Sequence, residues 1–335
     1  MSIDLSHHGD AELGDGLMDF AVNVRPGTPP EWLRDRLRGA IDGLAAYPSD
    51  VAARAAVAAR HGRAIEETLV TAGAAESFVL LARALQPTRA IVVHPSFTEP
   101  EAALVAAGID VERAVLPAPF ALVPAAIPED ADLVVLGNPT NPTGVLHPRE
   151  HVLSLRRPGR VVVVDEAFMD FVPGETESVA GEPGVVVLRS LTKMWGLAGL
   201  RVGYLLGPAD LVARLAAARP PWATSSLANV AVIACLEAPA VAEANQAAID
   251  LAKMADDFTS ALAALDGVVV WPPHANFVLI QVPGRLDLHR ALRTAGFAVR
   301  RCDTFPGLGA GHLRFAIRET AANHALLSAL RTTIG

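Results

Sequence analysis

Apolar residues in the middle of this chain come in short unbroken runs, not in alternation. The runs occupy 68–71, 90–94, 111–116, 132–136, 161–165, 185–188 and 202–206. Near-continuous apolar character over so few residues predicts strands buried on both faces. Longer Ala- and Leu-rich stretches separate several of them, most clearly 74–85 and 99–107, which are predicted as helices. Strand and helix alternating in this way is the pattern of a doubly wound α/β unit with a mostly parallel sheet, right-handed by default.

The pattern changes after Pro220-Pro221. Residues 227–236 and 241–265 read as Ala-rich helices, and 268–270, 276–281 and 313–316 as strands of a smaller α+β unit. The segment 1–46 opens no strand–helix–strand unit and is expected to wrap back onto that second unit. The predicted organisation is a large unit, 47–221, and a small one built from 1–46 and 222–335. The stretch 116–128, with its prolines, reads as an irregular connector. Across all 335 residues, 51% are hydrophobic and 19% charged. That is ample core material and argues against disorder. The net charge of −8 makes a nucleic-acid backbone a poor partner, although a local arginine cluster can still attract a small anion. Two cysteines, Cys235 and Cys302, are expected as free thiols. The first ten residues carry no apolar signal region, so a soluble, cytoplasmic protein is expected.

Candidate chemistry collects where the predicted strands end. Lys193 follows a buried strand in Ser190-Leu-Thr-Lys193, where desolvation would disfavour the ammonium and leave a nucleophilic amine. Alone, a lysine at a strand end is an ordinary surface residue, and its company carries the argument. Asn138-Pro-Thr-Asn141-Pro-Thr-Gly144 follows another strand and predicts a rigid loop with exposed amides. Asp165 ends the run Val161-Val-Val-Val-Asp165, at a place where ligands bind in α/β sheets. Thr71-Ala-Gly73-Ala74-Ala75 runs from strand through glycine into helix, where free N–H groups suit a phosphate. Arg201 follows Lys193 by eight positions. Singly, each of these is explained by a turn, a helix cap or a surface charge.

Together and in this order they resemble the fold-type I pyridoxal-phosphate enzymes of the class I/II aminotransferase group, over essentially the whole chain. The resemblance implies pyridoxal 5'-phosphate as cofactor, no metal, a homodimer and the following roles. Lys193 carries the cofactor as a Schiff base and shuttles protons. Asp165 pairs with the ring nitrogen, and Asn141 donates to the ring oxygen. Gly73, Ala74 and Ala75 offer the backbone, and Ser190, Thr192 and Arg201 the side chains, that bind the phosphate. Phe97 stacks on the ring, Tyr47 reaches the phosphate of the neighbouring subunit, and Arg314 binds the substrate carboxylate. His8, Asn23, Arg25 and Arg300 are expected to shape the substrate pocket with Arg314.

Within the group, two enzymes resemble the chain: L-threonine-O-3-phosphate decarboxylases of cobalamin synthesis and histidinol-phosphate aminotransferases. His8-Gly9-Asp10, Asp19-Phe-Ala-Val-Asn23, Phe97-Thr-Glu99, Arg189-Ser-Leu-Thr-Lys193 and Phe168 in Asp165-Glu-Ala-Phe168 favour the decarboxylase. Asp10, Val24-Arg25-Pro26, Ser49 after Tyr47-Pro48, and Pro100 depart from its usual pattern. A non-catalytic ligand sensor and a nicotinamide-dependent dehydrogenase are the readings from other classes. The sensor would need a DNA-binding module, and the dehydrogenase a Gly-x-Gly-x-x-Gly turn that Gly73-Ala-Ala-Glu76 does not supply.

Overall fold

The computed structural model describes residues 4–334. Two sheets organise the chain. The first contains β2 (Thr68–Thr71), β3 (Ala90–His94), β4 (Val111–Val115), β5 (Leu133–Gly137), β6 (Val161–Asp165), β7 (Val186–Ser190) and β8 (Gly203–Leu206). Its strand order is β2-β8-β7-β6-β5-β3-β4. The second holds β1 (Met18–Phe20), β9 (Val269–Trp271), β10 (Phe277–Gln281), β11 (Phe297–Arg301) and β12 (His312–Ala316), in the order β1-β11-β12-β10-β9.

The predicted strands of the large sheet all form, flanked by the predicted helices Ala74–Leu85 and Glu99–Ala106. The sheet departs from the parallel default at one strand. β8 runs antiparallel to both β7 and β2. The β7–β8 connection, residues 191–202, holds only the single helical turn Thr192–Trp195, so no helix crosses the sheet face and the chain doubles back. That return is the segment that carries Lys193. β2, β3 and β7 are buried throughout, whereas the edge strand β4 has no buried residue, with Glu112, Arg113 and Val115 exposed.

Packing crosses the predicted boundaries at two places. Helix Ser226–Leu236 packs into the core of the large sheet through Ala228, Ala231, Val232 and Cys235. The segment 1–46 is likewise shared. β1 joins the small sheet by pairing with β11, while Leu33 of helix Glu31–Gly39 is buried in the large core. β1 and β11 went unpredicted because a three-residue strand and one ending in two arginines carry little periodicity of their own. Both cysteines are free and buried. Among the described residues no single helix is long and apolar enough to cross a membrane.

A buried ion cluster ties the strand ends together. The fully buried Arg189 on β7 donates from Nε to Glu166 (3.0 Å), from Nη1 to Asp170 (2.8 Å) and from Nη2 to Glu175. Glu166 also accepts from the Val179 N–H (2.7 Å) and the Ser178 hydroxyl (2.8 Å). Glu166 directly follows Asp165 and Arg189 directly precedes Ser190, so this cluster fixes both strand ends. Removing one member strands the others as uncompensated buried charge. Arg189→Leu should therefore destabilise the protein by about 3–5 kcal/mol, read as a lower midpoint of urea unfolding at unchanged slope.

Candidate active site

A cavity of about 490 Å³ opens at the carboxyl ends of β5, β6 and β7. Lys193, Asp165, Asn141, Phe97, Ser190, Thr192, Arg201, Ala74 and Ala75 line it from the large unit. His8, Asn23, Arg300 and Arg314 close it from the N-terminal segment and the small sheet. The sequence-predicted residues thus line the cavity except for Gly73, Arg25 and Tyr47. The Arg25 guanidinium turns away to Glu243 (3.1 Å) and lies over the Trp195 ring at 5.8 Å. Arg25 contributes through its backbone instead, its N–H donating to the Lys193 carbonyl at 2.9 Å. Tyr47 points outward, 78% exposed, with its ring stacked on Trp222 at 4.3 Å.

Lys193 stands in a single helical turn, Thr192–Trp195, directly after β7. Desolvation lowers its pKa to about 8, helped by the positive charges of Arg314 and Arg201 and opposed by Asp10 and Asp165. A minority of the lysine is therefore already the neutral amine near physiological pH, far more than for an exposed lysine. Asp165 lies at the foot of the cavity, where desolvation raises its carboxyl to about 6 against the N–H of Ala167 at 3.1 Å. It is an acid whose proton is easily shared with a basic ring nitrogen.

Asn141 owes its position to groups that motif reading missed. The first asparagine of the loop, Asn138, is fully buried and works as a bracket. Its amide donates to the His147 carbonyl (3.1 Å) and accepts from the His147 N–H (2.7 Å). The His147 ring takes the Leu122 N–H on Nδ1 (3.3 Å) and meets the Thr140 hydroxyl with Nε2 (3.1 Å). Burial holds this ring at a pKa of about 4, so it is neutral, and the network assigns its proton to Nε2. Arg318 acts similarly on the other wall. It donates to the carbonyls of Asp19 (2.7 Å), Val22 (2.6 Å) and Val24 (2.8 Å), and so shapes the loop that presents Asn23.

A phosphate cradle forms beside Lys193. Helix Ala74–Leu85 starts at Gly73, whose φ of 77° suits glycine. A Cβ there would also lie 2.8 Å from Arg201 Nη2. First-turn N–H groups have no intrahelical partner, and Ala74 and Ala75, which carry two of them, line the cavity with Ser190, Thr192 and Arg201. Arg201 itself has φ 52°, a conformation costing an L-residue on the order of 1–3 kcal/mol, of the kind found at ligand clamps.

Arg314 on β12 is the sharpest electrostatic feature. Its Nη1 donates to Asn141 Oδ1 and its Nη2 to the Ala21 carbonyl, both at 2.5 Å. Its Nε is buried without a partner, and no carboxylate among the described residues pairs with it. Burial pushes its pKa down to about 9. Four cationic side chains line the cavity (Lys193, Arg201, Arg300, Arg314) against two carboxylates (Asp10, Asp165). The site is positive although the chain is net negative, and it suits a ligand with more than one anionic group. An amine, a shared-proton acid, a phosphate cradle and an aromatic face at Phe97 fit pyridoxal 5'-phosphate.

Fold and site together define a fold-type I pyridoxal-phosphate enzyme. The chain belongs to the aminotransferase class I and II family, whose profile matches residues 13–330, and pyridoxal 5'-phosphate is its cofactor. It is 51% identical over 317 residues to a histidinol-phosphate aminotransferase of Mycobacterium tuberculosis, covering 93% of this chain and 86% of that protein. It is 33% identical over 337 residues to the threonine-phosphate decarboxylase of Salmonella typhimurium, covering 96% and 92%. The histidinol-phosphate aminotransferase structure from Clostridium acetobutylicum superposes with a TM-score of 0.87 at 25% identity, covering 95% and 99% of the two chains. The L-threonine-O-3-phosphate decarboxylase structure from Porphyromonas gingivalis gives 0.82 at 26%, with the same coverage.

The chain has two lysines, Lys193 and Lys253. Borohydride reduction of the yellow holoenzyme should label the peptide containing Lys193 and leave that of Lys253 clean; the reverse would refute the assignment. Only a neutral amine attacks a carbonyl. Cofactor uptake by the cofactor-free chain should therefore accelerate as pH rises through about 8, followed by stopped-flow absorbance.

Proposed function

We propose that this enzyme decarboxylates L-threonine O-3-phosphate to aminopropanol phosphate, a reaction of cobalamin synthesis. The observation that carries a substrate with anionic groups is the buried, unpaired Arg314 guanidinium, sharing its cavity with Arg300, His8 and Asn23; it serves a carboxylate or a phosphate alike, and the choice of the decarboxylase rests on the features that follow. A substrate bearing both a carboxylate and a phosphate needs two anion grips, and a guanidinium fork suits either group. The 33% identity to the Salmonella decarboxylase supports the choice. So does Phe168, which is buried edge-on against Phe277 at 5.0 Å and offers no hydroxyl to the cofactor.

Bound in this cavity, the cofactor supplies an electron sink for the pair left on Cα. The protein's own residues decide which bond gives that pair. Arg314 and the His8–Asn23–Arg300 wall would hold the two anionic groups of the substrate, and so would decide which Cα bond is presented for cleavage. Asp165 holds the proton on the ring nitrogen. Lys193 Nζ returns a proton to Cα once carbon dioxide has left.

The 51% identity to the mycobacterial protein favours a second reading, a histidinol-phosphate aminotransferase. Histidinol phosphate has no carboxylate, so Arg314 would then take a phosphate, and Cα–H would stand upright. Parallel incubations separate the two. One contains L-threonine O-3-phosphate, assayed for carbon dioxide and aminopropanol phosphate. The other contains histidinol phosphate with 2-oxoglutarate, assayed for glutamate. Turnover is expected in the first vessel; turnover confined to the second refutes the proposal.

In the same reading the enzyme works as a homodimer, with Tyr47 reaching the neighbouring site. The outward Tyr47–Trp222 stack supports this, because both rings are exposed on a single chain. Sedimentation should give a dimer, and Trp222→Arg should shift it toward monomer with weakened cofactor retention.

A further inference from the structure

The segment at residues 5–12 crosses the mouth of the cavity and is fastened on both sides. On the large unit, the Thr98 hydroxyl donates to the Leu5 carbonyl (2.7 Å), and His8 Nε2 meets Glu99 Oε1 at 2.7 Å. On the small unit the fastening centres on one buried residue, Glu12. Its carboxylate takes His7 Nε2 on one oxygen (2.8 Å) and His289 Nε2 on the other (2.9 Å). Its carbonyl accepts from Arg293 Nη1 at 2.6 Å. The Arg300 guanidinium lies 3.8 Å from Glu12 Oε1 and itself donates to the His7 carbonyl at 2.6 Å. His7 is therefore held twice, by its ring through Glu12 and by its backbone through Arg300.

The segment has no slack at this point. A Cβ on Gly9 would stand 2.6 Å from the Ala21 carbonyl, the same oxygen that accepts from Arg314. Any movement of residues 7–9 is thus felt at Arg300 and Arg314. Glu12 touches neither Lys193 nor Asp165 and does not line the cavity. Burial alone would push its carboxyl up, but the hydrogen bonds from His289 and His7 bring it down to about 2, so it stays ionised.

We propose that Glu12 is a positioning residue for substrate recognition: by joining His7, His289 and Arg300, it holds residues 8–10 across the cavity and sets the second anion grip beside Arg314. This rests on the proposed phosphorylated amino-acid substrate, and the experiment separates the two.

Glu12→Gln keeps the size and removes the charge. A charge-assisted hydrogen bond is worth enough that KM for L-threonine O-3-phosphate should rise roughly tenfold or more, with kcat changing by less than about threefold. The absorbance of the bound cofactor should not change. In the holoenzyme, amide exchange over residues 5–12 should accelerate by about tenfold. Glu12→Asp should recover part of both effects, and His289→Gln, which cuts one leg, should move KM and exchange in the same direction by less. A merely structural role predicts lower thermal stability with KM unchanged, and that result overturns the proposal. If the unaltered enzyme does not turn over L-threonine O-3-phosphate, the substrate reading has failed by itself. Affinity of the holoenzyme for inorganic phosphate, read from the cofactor band, and the exchange rates then decide. Values in Glu12→Gln equal to those of the unaltered enzyme refute the role of Glu12.

Discussion

Uncompensated positive charge in a desolvated cavity is the constraint on which the rest of this site depends. Burial, reinforced by the fields of Arg314 and Arg201, brings Lys193 down to about 8, so its ammonium gives up a proton far more readily than that of an exposed lysine. The same surplus makes the cavity a receptor for anions, since a buried guanidinium without a carboxylate is costly until a ligand supplies one. One arrangement thus prepares the nucleophile and selects the ligand class. A chain with net charge −8 can do this because the fields that matter act over a few ångströms.

Such a cavity would relax if its walls could move. Three buried polar networks prevent it. Arg189 with Glu166, Asp170 and Glu175 fixes the ends of β6 and β7. His147, Asn138 and Thr140 lock the loop that carries Asn141. Arg318 braces the backbone that carries Asn23. None of these groups needs to touch cofactor or substrate. Each turns a strand end or loop, which by itself has several conformations, into one with a single geometry. The short β7–β8 return belongs with them, because its reversal of chain direction puts Lys193 beside Asp165 and the phosphate cradle.

The chemistry was more legible than its supports. Lys193, Asp165, Asn141 and Arg201 could be found because each lies within a few residues of a buried strand end, where strand pattern and motif coincide. Arg25 was misplaced because its side chain is claimed by Glu243, far away in sequence on a helix whose packing no local pattern reveals. Asn138 and Asn141 look alike in sequence, yet one is a bracket and the other lines the cavity, and His147 makes the difference. Glu12 had no signal at all. A single acid after a glycine turn acquires meaning only once His289 and Arg300 fold against it.

The sequence by itself determined the strands of the large sheet, the family and the cofactor, since these follow from unbroken apolar runs and from residues set at fixed short spacings. Tertiary structure alone decided where Arg25 and Tyr47 point and how Asn138 and His147 bracket the loop that carries Asn141. It also decided which arginine is left unpaired. The physical reason is that burial and charge pairing are properties of assembled surfaces. Lys193 is chemically the same residue as any other lysine until β6, β7, β12 and residues 5–12 close around it and remove its water.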